Sequence, residues 1–467
     1  MAKKWMKMLA VLCGALFLFA AVAGCTGGED EYAGKTRLIV WTADPIDANY
    51  TTTLNVNPDD PKALFTKKLV EDFEGAHENV KLQLVFQDWG ETLNQNLLAA
   101  FARKTKMDVV PGEAYIRSYI EAGRFAPIEL DENIRLSEKA TGNAMKDGEL
   151  YAVPVFTGTF SLIINTQVLK EAGILNDDGT PKQEWTDKDI DPLAPKYWED
   201  LLEVSKAVKQ YFVSQDEGDG RGGCLIDLVE DGSQWRALAY MAPAGGDYLD
   251  DAGDFILNDE KNVKAFDMMR QLGETAPDNS LGINDENTLF RYLTNGNAAY
   301  IVEGISPFTV TATDAQRKNL ITVELPTFKT GGVKANVMCG TVYYSIVESS
   351  ENKDLAQDFI ELLLTEEYQK LMMEIDYRVP TNSAVFESEE IQTEQYHWSI
   401  MEPYCKPFSD ESYTVVPGVP GFNNNQANIW STWNSFLRNA VRSANDIAAV
   451  RDYANAANTQ INEVKDR

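Results

Sequence analysis

The chain has 467 residues, more than the roughly 250–300 at which a single hydrophobic core stops growing, so two lobes are expected. Hydrophobic residues make up 44% and aromatics 10%, which suits a globular protein. A formal net charge of −30 argues against a nucleic-acid partner and disfavours docking on anionic lipid except through an anchor.

The N-terminus reads as an export signal. Lys3, Lys4 and Lys7 precede an apolar run from Met8 to Ala23, and Val22-Ala23-Gly24 leads directly into Cys25. The run is short for a transmembrane helix, which needs about 20 residues. Residues 26–36 are small, polar and acidic, as in a tether. No second long apolar segment follows, so a lipid is expected to be the mature chain's only membrane contact.

Leu38-Ile39-Val40-Trp41 predicts a short strand, ended by Thr42-Ala43-Asp44-Pro45, and 51–61 a loop. Leu64, Phe65, Leu69, Val70 and Phe73 recur at helical spacing over 62–77. Val80, Leu82, Leu84 and Phe86 alternate with polar residues at the strand period. Leu93, Leu97, Leu98 and Phe101 mark a helix, Met107 to Val110 a strand, and Tyr115, Ile116, Tyr119 and Ile120 a helix. This alternation argues for βαβ units and a mostly parallel sheet. Such sheets bind ligands beyond the carboxyl ends of their strands, where Trp41 to Asp44, Gln87 to Trp89, and Glu113 to Tyr115 lie. Further on, Gly148 to Pro154 leads into a strand at Ser161 to Asn165 and a helix ending near Gly173. A polar inserted loop occupies 176–196, and a helix runs from Trp198 to Tyr211. Ala298 to Val302 and Thr341 to Val347 read as strands, Leu355 to Met373 as one long amphipathic helix, and the chain from Ala427 as helical.

Several segments together resemble the family 1 extracellular solute-binding proteins of bacterial ABC importers. They are Gly123-Arg124-Phe125-Ala126-Pro127-Ile128, the crossover Gly148 to Pro154 followed by Ile164-Asn165, and Pro195-Lys196-Tyr197-Trp198-Glu199-Asp200-Leu201. Gly296-Asn297-Ala298-Ala299-Tyr300, the helix from Ala356 to Leu363, and Arg378-Val379-Pro380 complete the set. None is specific alone; their order and spacing are. The Val22 to Cys25 stretch likewise resembles the bacterial lipobox, which implies cleavage before Cys25 and lipid attachment to its thiol.

The resemblance implies an α/β, two-lobed periplasmic-binding-protein-like fold (type II, Venus-flytrap) with discontinuous lobes. The expected division is 1–24 signal peptide and 25–36 lipid-anchored tether. An N-terminal lobe would be built from 37–155 plus about 305–350, and a C-terminal lobe from 156–304 plus about 351–467. The implied function is capture of a carbohydrate, an oligosaccharide by the inserted Asp/Gly loop, and delivery to the permease subunits of an ABC importer. The expected state is a monomer, exported and lipid-anchored outside the cytoplasmic membrane. The same fold binding a peptide or polyamine is the main alternative. A secreted carbohydrate-active enzyme is the lesser one, since the chain has only His77 and His397 and no Gly-x-Ser-x-Gly stretch.

Sugars present C–H faces to aromatic rings and hydroxyls to carboxylates and amides. The candidate contacts on these grounds are Thr42, Asp44, Trp89, Glu113, Tyr115, Trp235, Tyr248, Glu303, Phe308 and Arg378. Trp398, Phe422 and Trp430 suit a core better. Asp216, Glu217 and Asp219 lie in a loop like one that holds Ca²⁺ in relatives, but the first position is Gln215 and a later one Gly223. No other metal or cofactor is expected. Cys224, Cys339 and Cys405 permit one disulfide, its pairing open.

Overall fold

The computed structural model describes residues 34–43, 45–46, 60–87, 89–218, 220–230, 232–418 and 426–465. The expected signal, the expected lipidation site Cys25 and most of the expected tether lie outside them. In chain order the strands are β1 (Thr36–Thr42), β2 (Val80–Phe86), β3 (Val109–Gly112), β4 (Met145–Lys146), β5 (Glu149–Leu150), β6 (Val153–Phe156) and β7 (Ser161–Asn165). They continue with β8 (Gly222–Leu225), β9 (Ala298–Glu303), β10 (Leu320–Val323), β11 (Ala335–Val337), β12 (Val342–Ile346) and β13 (Thr414–Val416).

Two sheets carry the two lobes. The first has the order β2-β1-β3-β12-β6 and the second β10-β7-β9-β8. The expected parallel pairing holds for β1 with β2 and β3. It holds also for β8 with β9, whereas β12 runs antiparallel to β3 and β6, and β7 antiparallel to β9 and β10. The reason is topological. Once the chain crosses between lobes it returns to a sheet from the opposite end, and the returning strand is antiparallel.

Local chemistry explains the elements. The helix Pro61–Ala76 starts with Asp60 accepting from the Lys62 backbone N–H at 3.0 Å, and Pro61 supplies a preset φ at its first position. Its buried face is Ala63, Phe65, Thr66, Leu69 and Phe73, while Leu64 is exposed. The stretch expected to be one long helix is two, Lys353–Leu364 and Glu366–Asp376. Thr365 adopts φ −60, ψ 150 between them, which breaks the helical ladder without interrupting the apolar spacing. The inserted 176–196 segment is not open loop throughout. It carries a short helix, Gln183–Thr186, and buries Trp185 and Ile190 in the second lobe.

The lobe boundaries differ from those expected. β10 belongs to the second sheet, so 305–350 is divided between lobes. The helices Lys353–Leu364 and Glu366–Asp376 bury Phe359, Ile360, Leu363, Tyr368 and Met372 with the first sheet's Leu38, Val40 and Tyr344. The second lobe's core gathers Trp198, Phe212, Phe266, Trp433 and Phe436, including residues of the C-terminal helices Gln426–Arg442 and Ile447–Lys465.

Between the lobes run Thr157–Phe160, linking β6 to β7, and Met338–Thr341, linking β11 to β12. They are tied to each other and to Val379. The Thr157 N–H donates to the Val379 carbonyl at 3.0 Å, and the Cys339 N–H donates to the Gly158 carbonyl at 2.8 Å. The hydroxyls of Thr157 and Thr341 meet at 2.7 Å. Gly158 is required by close approach: a Cβ there would sit 2.8 Å from the Cys339 carbonyl oxygen.

Candidate functional site

A cavity of about 200 Å³ lies against these crossing segments, with walls from both lobes. The first lobe contributes Glu113, just beyond the carboxyl end of β3, Tyr343 of β12, and Tyr377 and Arg378 after the helix Glu366–Asp376. The second contributes Trp235 and Arg236 from the helix Ser233–Met241, and Glu303 at the end of β9. Sites at strand ends follow from strand geometry, because the last side chains of a sheet are held rigidly while the following loop is free to open onto a cleft.

Arg236 organises the polar side. Its guanidinium lies 2.8 Å from Glu303, 3.1 Å from Asp227 and 2.8 Å from Glu286. Burial pushes Glu303 up to about 7, opposed by the attraction of Arg236 and reinforced by Asp227. Asp227 takes the Val229 N–H at 2.7 Å, and the Gly304 N–H donates to Glu303 at 2.8 Å. On the opposite side Arg378 Nε donates to Asp376 at 2.7 Å. Its guanidinium covers the rings of Phe156, at 4.5 Å from the centroid, and Trp89, at 5.5 Å.

Trp235 offers the apolar face. Its ring meets Trp430 edge-on at 6.3 Å. Gly418 lies so near that a Cβ would fall 2.6 Å from the indole. The Gly418 carbonyl accepts from Asn143 of the first lobe at 2.9 Å and from the Tyr248 hydroxyl of the second at 3.3 Å.

Of the residues singled out in the sequence, Glu113, Trp235, Glu303 and Arg378 line the cavity. Glu113 is fixed by accepting the Gly90 N–H at 2.7 Å. Trp89 and Tyr248 stand one contact behind, through Arg378 and Gly418. Thr42, Tyr115 and Phe308 are not brought to the cavity: each is buried in a core, because strand alternation turns Thr42 inward and a helical turn carries the other two side chains away. Asp44 lies outside the described residues. The sequence reading missed Arg236, Phe160, Tyr343, Tyr377 and Tyr404. Arg236 could have been suspected as a cation adjoining Trp235 in an otherwise apolar helix; the tyrosines carry no such signal.

Glu217 of the candidate Ca²⁺ loop is engaged by Arg221 at 3.2 Å, and Asp219 lies outside the described residues. Among the described residues no group of three His, Cys, Asp or Glu side chains is placed to hold a metal. Cys224, Cys339 and Cys405 are all free thiols, so no disulfide joins them. Cys339 lines the cavity, and burial pushes it up to about 12, which leaves it a neutral thiol and a poor nucleophile. Trp398 and Trp430 are partly buried against the cores, and Phe422 is outside the described residues.

A model of the family described as bacterial extracellular solute-binding protein matches residues 68–396. The chain belongs to that family. This solute-binding protein is 22% identical over 356 residues to the arabinooligosaccharide-binding protein of Bacillus subtilis (strain 168), covering 74% of this chain and 73% of that one. It is 22% identical over 400 residues to the diacetylchitobiose binding protein DasA of Streptomyces coelicolor, covering 81% and 83%. Among solved structures, the sugar-binding protein MalE of Xanthomonas citri superposes with a TM-score of 0.67 at 18% identity, over 92% of this chain and 98% of that one. The GacH receptor of Streptomyces glaucescens GLA.O gives 0.65 at 18%, over 91% and 98%. These likenesses establish the two-lobed fold. Its family places the protein outside the cytoplasm. Among the described residues no helix is long and apolar enough to cross a membrane.

Proposed function

We propose that this protein captures a carbohydrate, an oligosaccharide, between its lobes and hands it unaltered to the permease subunits of an ABC importer. The observation that carries the reading is the meeting of an indole face, Trp235, with carboxylates and guanidinium groups in one cavity on the crossing segments. Rings suit the C–H faces of a pyranose, and Glu113, Thr157, Thr341 and Arg378 suit its hydroxyls. The names of the relatives, which bind oligosaccharides, support the same class. Ligand binding favours the state in which both lobes touch it, so closure follows from differential contact. The protein acts as a monomer.

Thermal unfolding of the chain from Thr26 onward, against mono- and oligosaccharides with peptides and polyamines as controls, tests this. A ligand at 100 times its Kd stabilises by about 2.7 kcal/mol, so one sugar class should raise the melting temperature clearly. Response to a peptide or polyamine alone, with silence across the sugars, would remove the carbohydrate assignment and keep the fold.

The same proposal anchors the mature protein by lipid on Cys25, outside the cytoplasmic membrane. Cells expressing the full chain and fed a labelled fatty acid should label it, and the Cys25→Ser variant should carry no label. Equal labelling of both would move the anchor elsewhere.

A further inference from the structure

The first lobe has a recess of its own, about 570 Å³, at the amino end of β3, the end away from the interlobe cavity. It lies between the close of the helix Gly90–Arg103, the approach to β3 and the segment after β12. Its wall carries three cations, Lys104, Lys106 and Arg124, and two carboxylates, Asp108 and Glu351. The cations are exposed, and none of them is ion-paired among the described residues. Arg124 lies over the Phe101 ring, 5.7 Å from its centroid, which holds the guanidinium at the rim. Asp108 is fully buried and turned inward. It accepts from the Ile39 N–H at 2.8 Å, the Ser350 hydroxyl at 2.6 Å and the Asn352 amide at 3.2 Å. The outward charge of this pole is therefore positive, on a chain whose net charge is −30.

The recess adjoins the place where the chain enters the fold. β1 begins at Thr36, preceded by exposed Lys35. The Asp108 N–H donates to the Ile39 carbonyl at 2.9 Å, and the Asn352 amide donates to the Arg37 carbonyl at 3.3 Å. Thr36 thus lies about 10 Å along the strand from the contact at Ile39. The chain from Cys25 to Thr36 can reach at most about 40 Å. An anchor on Cys25 therefore keeps this pole, rather than the cavity, close to the membrane.

Screening decides what a lipid surface senses. Exposed charges are felt over about 8–10 Å at physiological salt, so the cations of the nearest face count and the acidity of the distant faces does not. That acidity opposes any orientation that brings it to an anionic surface. It acts with the basic pole and not against it.

We propose that this pole of the first lobe docks on anionic lipid headgroups, with Lys104, Lys106 and Arg124 against their phosphates. The anchored protein then stands on its first lobe, with the carboxyl end of β3, and so the cavity, on the side away from the membrane. The proposal rests on the lipid anchor at Cys25 and adds a second, reversible contact to it. One lipid chain gives only marginal membrane binding, and a basic patch beside it is the physical complement.

Dissociation kinetics test this. The chain from Thr26 onward is held by an N-terminal hexahistidine tag on nickel-chelating lipid, which keeps the tether and needs no acylation of Cys25. The bilayers are phosphatidylcholine alone and equal parts phosphatidylcholine and phosphatidylglycerol. At 0.1 M salt the protein should leave the anionic bilayer at least about fivefold more slowly, the worth of one cation near an anionic surface. The difference should vanish at 1 M salt, where screening is complete within about 3 Å. It should vanish also in the triple variant Lys104→Glu, Lys106→Glu, Arg124→Glu. The same charge change placed on exposed second-lobe helix positions, Lys170→Glu, Lys206→Glu and Lys261→Glu, should leave it in place. Equal dissociation from the two bilayers, or faster loss from the anionic one, overturns the proposal, as does a difference that survives reversal of the three cations. Those outcomes leave the anchor standing, because the anchor is read separately by the fatty-acid label on Cys25.

Discussion

Replacing Arg236 with methionine is expected to destabilise the protein by about 3–5 kcal/mol, the typical loss when one partner of a buried ionic cluster is removed. Methionine keeps an unbranched apolar stem, so the packing around that stem changes little. What is lost is the single cation shared by Asp227, Glu286 and Glu303. Asp227 and Glu303 remain buried and repel each other. The effect has a sign in pH. Glu303 already sits above its ordinary carboxyl value, at about 7, so the folded state holds a proton that the unfolded chain has released. Stability then falls as pH rises from the unfolded value to the folded one. Without Arg236 the folded value rises further and the fall continues to higher pH. Urea unfolding of both proteins at pH 5.5 and pH 8 checks this: the deficit should be larger at pH 8. A deficit that is small and flat with pH would mean that the cluster is not a coupled buried unit.

Trp198→Ala is the second large expectation, at about 3–5 kcal/mol. Trp198 is fully buried where the helix Trp198–Ser214 begins, stacked on Tyr240 at 4.5 Å between ring centroids and 6.3 Å from Phe328. Its backbone N–H donates to the Thr327 carbonyl at 2.9 Å, so the element cannot easily collapse into the space left. The damage should be confined to the second lobe, because the first lobe's core, around Leu38, Val40, Phe359 and Tyr368, shares none of these contacts. Hydrogen exchange should show β7 and β9 losing protection while β1 and β2 keep theirs. Loss of protection in both sheets together would show that the lobes unfold as one unit.

Much of the first lobe was legible in the sequence. The alternation Val80, Leu82, Leu84 and the helical spacing of Phe65, Leu69 and Phe73 are local patterns, and local patterns survive folding because each side chain's direction is set by its own element. Strand ends are legible for the same reason, and Glu113 and Glu303, at the ends of β3 and β9, line the cavity. Direction at a loop is not local. Tyr115 and Phe308 follow the same strand ends a few residues later, and the intervening backbone carries each into a core. Tyr377 and Tyr404 reach the cavity from segments that nothing in the chain order connects to β3 or β9.

The sequence by itself determined the size class, the acidity, the alternating elements and, through the order of several weak motifs, the two-lobed fold. Tertiary structure alone decided the antiparallel return of β12 and the assignment of 353–376 to the first lobe. It also decided the three-carboxylate grip on Arg236, whose members are Asp227, Glu286 and Glu303. The physical reason is separation along the chain. Hydrophobic periodicity is written within a window of a turn or two, whereas strand order and buried charge pairing depend on which distant segments the crossing strands bring face to face.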